Sequence, residues 1–248
     1  MNNFDSLLHR KLLNESSLLN ELFPETKNSK TNLGFGNTHH TVKQMKNWVE
    51  LHYHQTDKVS KLLKRDTLKQ TVDVIYNFLY NTLQYKQDYS LQQLRSPSNS
   101  IQNRKTGLDC KSYSIFASCI LTSLGIKHYI RQIKQPSHKP TRFTHVYIVV
   151  PINQITANLN DGYYPIDGTV KGNREPLFIN SHDTFMDKLP HIGLNGVAKK
   201  KPPKTKSKKK PVATKRKKSV ATKKKKSNTV RNAVIGLGAI AVLSGFIK

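Results

Sequence analysis

The sequence predicts an α+β fold in which helices come first and a mainly antiparallel sheet follows. Three observations lead to this prediction. Apolar residues recur at three-to-four spacing through the first half of the chain, as in helices that pack on a core. Short β-branched or aromatic segments follow Gly125 and are separated by loops rich in Pro, Asn and Gly. One strongly apolar helix precedes these segments, so helices and strands are segregated along the chain.

Residues 1–65 are predicted to form an N-terminal helical region. An amphipathic helix is indicated in residues 4–22, where the apolar positions at roughly helical spacing are Phe4, Leu8, Leu12, Leu19 and Leu22. It should end before Pro24, and packing on its own domain is favoured over docking on a partner. Residues 26–40 look like a polar loop. A second helical region is predicted over residues 41–64, with the inward-facing side chains Val42, Met45, Val49, Tyr53 and Leu62.

Residues 66–196 form the predicted main domain. Its first helix covers residues 66–86, with a core-facing stripe made of Leu68, Val72, Ile75, Leu79 and Leu83. Residues 90–109 resemble a loop with a short helical turn. A buried helix then runs from Cys110 to about Leu124, with Asp109 as N-cap and Gly125 as the first residue beyond its end. Strands are predicted over residues 126–133, 145–150 and 163–167.

Three residues in this domain have the chemistry of a nucleophilic site. Cys110 opens the buried helix, where unpaired amides and the positive helix end favour a thiolate and can face an oxyanion. His145 opens a strand and can shuttle the proton. Asp167 closes the next strand and can orient the imidazole. Each residue alone is a weak signal, because a buried cysteine is usually core and an Asp before Gly is usually a turn residue.

The segments around these residues resemble the transglutaminase-like superfamily, a papain-like group. The resemblance covers residues 68–170 and lies in LRSPSNSIQNRKTGLDCKSYSIFASCILTSLGI, then FTHVYIVV, then GYYPIDGTV. It implies a papain-like core with Cys110 as nucleophile, His145 as general base and acid, and Asp167 as the orienter of the histidine. The chain is also similar to small proteins of this type in phages and mobile elements of Bacteroidetes-like bacteria. It departs from many relatives in having Lys111-Ser112 where they have an acidic pair, and Gly107-Leu108-Asp109 where they have Gly-Asp.

The resemblance implies a cysteine hydrolase, a peptidase or amidase that works through a thioester. Its substrate would be an amide in a peptide or in peptidoglycan stem peptides, and acyl transfer to an amine is part of the same chemistry. The alternative is a non-enzymatic virion or membrane-associated protein that keeps the fold as a scaffold. A further side chain would assist the helix amides at the oxyanion, and the sequence does not distinguish among the candidates Gln84, Gln87 and Gln102. Tyr113 and Tyr147 can line the cleft, although core packing is favoured for both.

The remaining cysteine and the histidine pairs predict no further site. Cys119 lies nine residues after Cys110 on the same helix, about 13 Å away at a rise of about 1.5 Å per residue, which is too far for a disulfide. It is therefore predicted to be core. His39-His40 and the pair His52 and His54 lack acidic or thiol partners at a familiar spacing, so surface histidines are favoured over a metal site. No cofactor is predicted.

The charge is concentrated in a C-terminal tail. The chain of 248 residues has a formal net charge of +27, yet residues 1–198 hold 24 basic and all 15 acidic residues. Residues 199–231 hold 17 basic and no acidic ones, and residues 197–231 are predicted to be a disordered Lys-rich linker. The candidate contacts to anionic lipid or nucleic acid are Lys215, Arg216, Lys217, Lys218, Lys223, Lys224, Lys225 and Lys226. Since the linker lacks aromatic residues, any nucleic-acid contact would be to phosphates.

The chain ends in an apolar segment, residues 232–248. Its candidate membrane-contacting residues are Ala233, Val234, Ile235, Leu237, Ile240, Val242, Leu243, Phe246 and Ile247. As a helix the 15 uncharged residues 233–247 would span about 22 Å, less than the roughly 30 Å hydrocarbon core. Membrane association is favoured over docking in a protein groove and over no role, because basic residues precede the segment. With no secretory signal peptide at the N-terminus, an intracellular or virion-associated protein is expected, attached to a membrane through its C-terminus.

Overall fold

The computed structural model describes residues 9–12, 18–24, 29–34, 38–88 and 92–186. The helices in these ranges are α1 (Leu18–Leu22), α2 (Thr38–His52), α3 (Asp57–Leu63), α4 (Leu68–Thr82), α5 (Pro97–Gln102) and α6 (Cys110–Ser123). The strands are β1 (Lys30–Asn32), β2 (Gln93–Arg95), β3 (Tyr129–Lys134), β4 (His145–Pro151), β5 (Tyr163–Ile166) and β6 (Asn180–Phe185). Most helices precede an antiparallel sheet, so the predicted α+β class is confirmed.

The second predicted helical region is interrupted in the structure. A turn of 3-10 helix, Tyr53–Thr56, separates α2 from α3, and the Thr56 hydroxyl donates to the Tyr53 carbonyl at 2.7 Å. This local hydrogen bond competes with a continuous helix. The inward stripe is nevertheless confirmed, since Val42, Met45 and Val49 are fully buried against α6.

Helix α4 begins at a capping box. The amide of Gln70 donates to Thr67 Oγ1 at 3.2 Å, and the amide of Thr67 donates to Gln70 Oε1 at 3.4 Å. The two bonds satisfy amides that have no partner within the helix. The predicted stripe is confirmed, because Val72, Ile75 and Leu79 are completely buried.

Helix α6 is the central helix of the domain. Asp109 is its N-cap, with Oδ1 accepting a hydrogen bond from the Ser112 amide at 3.2 Å. Gly125 follows its end at φ +70°, a conformation that glycine adopts without a steric penalty. Both caps agree with the prediction. All residues from Lys111 to Thr122 are buried, which places the helix between the sheet and the other helices.

The main sheet has the strand order β5-β4-β3-β6, with antiparallel neighbours throughout. Side chains of β4 alternate between its faces: Val146 and Ile148 belong to the core shared with α6, whereas Tyr147 and Val149 pack with Ile133 on the opposite face. Strands β3, β4 and β5 agree with the three predicted strand segments to within a few residues. Strand β6 was not expected.

A buried ion cluster covers the face of the sheet opposite α6. The guanidinium of Arg131 binds both carboxylate oxygens of Asp183 on the neighbouring strand, at 2.7 and 2.8 Å. Its remaining nitrogen donates to Glu175 at 2.8 Å, and Glu175 also accepts hydrogen bonds from the hydroxyls of Tyr147 and Tyr163. The cluster fixes the loop after β5 on the sheet.

Two segments predicted as loops contain paired strands. Residues 26–40 include β1, and residues 90–109 include β2 and α5; β1 and β2 pair in register from Lys30–Arg95 to Asn32–Gln93. Helix α5 has Pro97 in its first turn and Ser96 as N-cap, which accepts from the Asn99 amide at 3.3 Å. The two strands were missed because three-residue strands leave no periodic pattern in the sequence, whereas α5 agrees with the short helical turn predicted within residues 90–109.

The predicted helix over residues 4–22 is also wrong in part. Residues 9–12 have no regular secondary structure, and a short helix, α1, begins only at Leu18. The backbone at Arg10 is held instead by a hydrogen bond from its amide to Gln84 Oε1 at 3.3 Å. A long-range contact replaces the helical hydrogen bonds that the spacing predicted.

The C-terminal predictions lie outside the described residues. These are the domain end near residue 196, the Lys-rich linker of residues 197–231 and the apolar segment of residues 232–248. Within the described ranges, none of the helices has the length and apolar character needed to cross a membrane.

Candidate active site

Cys110, the first residue of α6, stands at a helix end shaped for an anion. The first amides of a helix have no acceptor within the helix, and its dipole places partial positive charge there. Asp109 holds this end with its side chain, which also accepts from the Ser112 hydroxyl at 3.3 Å. Cys110 itself is only partly buried, so its thiol is accessible.

His145 joins the other two predicted residues. Its Nε2 lies 2.7 Å from Oδ2 of Asp167, and the side chain of Cys110 is close enough to the imidazole to contribute to the raised pKa of His145. Because Nε2 is engaged by the carboxylate, Nδ1 is the nitrogen that serves the thiol. The structure therefore brings together the three residues that the sequence singled out, in the order thiol, imidazole, carboxylate.

The elements that carry these residues are tied to one another. His145 is the first residue of β4, and Asp167 directly follows the paired strand β5. Ser114 of α6 has its hydroxyl 2.8 Å from the carbonyl oxygen of Cys110 and 3.1 Å from that of Val146. One buried hydroxyl thus joins the start of α6 to the start of β4.

Asp167 is buried and its carboxylate is fully engaged. Oδ1 accepts from the amide of Thr169 at 3.1 Å and from its hydroxyl at 2.6 Å, while Oδ2 binds His145. Burial alone would raise the pKa of Asp167, but the charge of His145 and the hydrogen bonds from His145 and Thr169 outweigh it and lower the pKa. The carboxylate is held in its charged form.

The protonation of His145 follows from the same contacts. Burial opposes its charged form, but the Asp167 carboxylate, the hydrogen bond to it and the contact with Cys110 are stronger together and raise the pKa of His145 well above its ordinary value. Hence the imidazolium is favoured near neutral pH, and a thiolate at Cys110 has a cation beside it.

Cys110 and His145 open onto a cleft of about 230 Å³. One wall is α2, through Val42 and Met45, and another is the segment that follows α4. That segment lies beside the start of α6 because the amide of Lys86 donates to the Leu108 carbonyl at 2.9 Å, and the Leu108 amide donates to the Gln84 carbonyl at 2.9 Å. The cleft is large enough for a side chain or a short stretch of backbone beside the thiol.

A close contact of Gly107 fixes the approach to Cys110. Gly107 has φ +99°, and a Cβ at this position would collide with the Cβ of Lys86. Only glycine allows both the backbone angle and the contact. Gly107 therefore allows a tight turn before the helix, with Leu108 buried in the core between Gly107 and the N-cap.

The three glutamines considered for the oxyanion have different surroundings in the structure. Gln87 lines the cleft with Cys110. Gln84 is buried, and its side chain contacts the amide of Arg10 and the carbonyl of Tyr85. Gln102 lines a different pocket, beside Pro24. Gln92, which the sequence did not single out, also lines the cleft, so Gln87 and Gln92 are the glutamines that share the cleft with Cys110.

A buried ion cluster at one end of the cleft was missed by sequence reasoning. The ammonium of Lys111 binds the Asp109 carboxylate and lies 3.5 Å from Oδ2 of Asp88, with the Lys111 side chain only 7% exposed. Burial lowers the pKa of Lys111, and the charge of Asp88 acts against this shift. Lys111 thus forms an ion pair with the cleft wall.

Three other residues considered in the sequence analysis are buried in the structure. Cys119 is completely buried, and burial raises the pKa of its thiol well above the ordinary value, which confirms the core prediction. Tyr113 and Tyr147 are buried too, and neither lines the cleft. The packing role favoured for these tyrosines is confirmed.

Among the described residues, no group of three or more His, Cys, Asp and Glu side chains is arranged to hold a metal ion. Comparisons with protein families, curated proteins and solved structures found no match to this chain. The chemistry of the site therefore has to be argued from its own geometry.

Proposed function

We propose that this protein is a cysteine hydrolase of the transglutaminase-like class, a peptidase or amidase that forms a thioester on Cys110. The observation that carries the proposal is the position of His145, which contacts the Cys110 thiol and the buried carboxylate of Asp167 at the edge of a cleft. A buried histidine that joins an accessible thiol to an engaged carboxylate is costly to maintain without a function.

The reaction would proceed in two halves. In the resting pair the thiol proton is already on His145 Nδ1, and the Cys110 thiolate attacks the carbonyl carbon of an amide to give a tetrahedral oxyanion that faces the first amides of α6. Collapse breaks the C–N bond, and the imidazolium gives its proton to the departing amine. Water, or an amine in acyl transfer, then attacks the thioester, His145 takes its proton, and the thiolate leaves.

The substrate class follows from the cleft and the resemblance together. We propose an amide of a peptide, including the stem peptides of the bacterial cell wall. The basic linker and the apolar end would hold the enzyme near an anionic membrane or nucleic acid, as their charge and composition suggest. Liposome and DNA binding by the full chain and by a chain ending at residue 196, each at two salt concentrations, tests this tether; equal binding by both contradicts it.

The catalytic proposal is tested with Cys110→Ala and the matched control Cys119→Ala. Peptide, peptidoglycan and glutamine-donor substrates are each assayed with wild type and both variants. Only Cys110→Ala should lose activity, and only wild type and Cys119→Ala should be labelled by iodoacetamide at about pH 6, where ordinary thiols are protonated. If Cys110→Ala turns over every substrate as wild type does, the role of Cys110 is contradicted. If wild type turns over none and its Cys110 is inert, the non-enzymatic alternative is favoured.

A further inference from the structure

A pocket next to the triad holds a guanidinium from the N-terminal segment. We call it the Arg10 pocket; its walls are the Tyr80 ring, the Tyr113 hydroxyl and the carbonyl oxygens of Leu83 and Gly168. The terminal nitrogen of Arg10 donates to Tyr113 Oη at 2.6 Å, to Gly168 O at 3.0 Å and to Leu83 O at 3.1 Å. Its Nε also faces Leu83 O at 3.3 Å, and the guanidinium carbon stands 3.9 Å from the centre of the Tyr80 ring.

The pocket walls belong to the elements that carry the triad. Tyr113 is three residues after Cys110 on α6, and Gly168 directly follows Asp167. Leu83 directly follows α4, the helix that packs on both β5 and α6. Arg10 therefore connects the helix that begins at Cys110 to the turn that follows Asp167.

The contact between these two elements is tight. A Cβ on Gly168 would stand 2.8 Å from Cδ1 of Tyr113, so the turn lies directly on the tyrosine ring. The Tyr113 hydroxyl also donates to the Leu83 carbonyl, and the ring is 2% exposed. With acceptors on three sides and a ring below, the pocket suits a flat cation with several donors, which guanidinium is and ammonium is not.

We propose that Arg10 is a positioning residue for the Cys110-His145-Asp167 centre and that its guanidinium acts as a built-in activating group; the inference rests on the proposed function. Arg10 supplies the Gly168 carbonyl with a charged donor and thereby fixes the turn in which Asp167 and Thr169 lie. When the turn is held, Asp167 meets Nε2 of His145 and the imidazolium is maintained beside Cys110. Removal of the guanidinium loosens this turn, and the contact of Asp167 with His145 beside Cys110 is no longer held.

The test is chemical rescue in the full-length protein. Arg10→Gly empties the pocket, and the alkylation rate of Cys110 by iodoacetamide is followed from about pH 5 to pH 9 by mass spectrometry, a readout that needs no substrate. We expect the rate at about pH 6 to fall roughly tenfold or more and the profile to move toward that of an ordinary thiol. Ethylguanidinium should restore it, whereas ethylammonium should not.

Two further variants make the result decisive. Lys11→Ala changes an exposed neighbour in the same segment and should alkylate as wild type does. Arg10→Lys keeps the aliphatic stem and the positive charge but loses the planar guanidinium, and it should show the same shift in the alkylation profile. Because it keeps the stem and the charge, this variant should stay folded even if Arg10→Gly does not. A folded Arg10→Gly with the wild-type profile, or a defect that ethylguanidinium leaves unchanged, overturns the inference. A wild-type Cys110 without reactivity at about pH 6 contradicts instead the proposed function.

Discussion

Nε2 of His145 and Oδ2 of Asp167 lie 2.7 Å apart, in a contact shielded from water. The bond has two consequences: it orients the ring so that Nδ1 serves the Cys110 thiol, and it places a fixed negative charge beside the imidazolium. The amide of Asn keeps the shape of Asp but has neither the charge nor a second acceptor oxygen. Replacement of Asp167 therefore separates its electrostatic role from its packing.

Asp167→Asn should lower kcat/KM by about a hundredfold to ten-thousandfold, the range seen when a triad carboxylate is neutralised. Its carboxylate raises the pKa of His145, so the loss of the charge lowers that pKa and the alkaline limit of the pH–rate profile moves to lower pH. Steady-state rates over a pH series measure both effects. Asp66→Asn, at an exposed position, is the control, and an unchanged pH profile in Asp167→Asn would contradict the role of the carboxylate.

The buried side chain of His128 should make the free energy of unfolding depend on pH. It is completely buried between α6 and β3, with Nε2 2.6 Å from the Ser118 hydroxyl and Nδ1 2.8 Å from the Ile126 carbonyl. Burial lowers its pKa to about 4, and the hydrogen bond to Ile126 acts against this shift. Between about pH 6.5 and pH 4 the unfolded chain binds a proton that the folded chain does not, so the free energy of unfolding falls as the pH falls.

Urea unfolding at several pH values measures this dependence. Over that window the wild type should lose up to about 1.4 kcal/mol per pH unit through His128, and His128→Gln should be less stable at pH 7 but flatter toward acid. His54→Gln is the control, because His54 is exposed at the 3-10 turn. Equal slopes for wild type and His128→Gln would show that other groups carry the acid sensitivity.

The central part of the fold could be predicted because its signals are local. The cap at Asp109, the turn at Gly125 and the apolar circumference of α6 lie within one stretch of sequence. The three triad residues could be placed because each stands at the end of an element, where cap and strand signals are strongest. Their mutual distances depend on the packing of the sheet against α6, which only the structure gives.

The parts that were missed depend on contacts between distant residues. Strand β6 is NSHDTF, which has little of the β-branched or aromatic character of a strand and lies at the sheet edge, where polar residues are tolerated. Arg10 and Gly168 are 158 positions apart, and no periodicity signals such a pair. The role of Lys111 required knowledge that Asp88 faces it across the cleft.

The buried ion pair of Lys111 with Asp88 predicts that substitutions at these two residues have coupled effects on the free energy of unfolding. Lys111→Met leaves two carboxylates, Asp88 and Asp109, with side chains only 12% and 5% exposed and no cation between them. We expect a loss of about 3–5 kcal/mol in the free energy of unfolding. The double variant Lys111→Met with Asp88→Asn should lose less than the sum of the two single variants, by about 0.5–3 kcal/mol.

An exposed ion pair of the same type provides the control. Lys69 and Asp73 on α4 lie 2.5 Å apart, with side chains 54% and 40% exposed. Lys69→Met should cost no more than about 1 kcal/mol, because solvent screens this pair. If both lysine variants lose the same stability, the cluster at the cleft behaves as a surface pair and the interpretation fails.

Gly168 makes the sharpest structural prediction, because one methyl group there meets two buried side chains. An added Cβ would stand 2.8 Å from Cδ1 of Tyr113 and 3.1 Å from the Cβ of Leu79, and neither neighbour has space to retreat. Gly168→Ala should therefore destabilise the fold by about 1–3 kcal/mol through overpacking. Since the turn moves rather than the core, Asp167 shifts with it, and kcat should fall more than KM rises.

Gly34→Ala, where nothing lies within 4 Å of the new Cβ, is the control for stability and should stay within about 0.5 kcal/mol of wild type. A Gly168→Ala variant with wild-type stability and turnover would mean that the turn and α6 do not meet as closely as the distance to Tyr113 indicates.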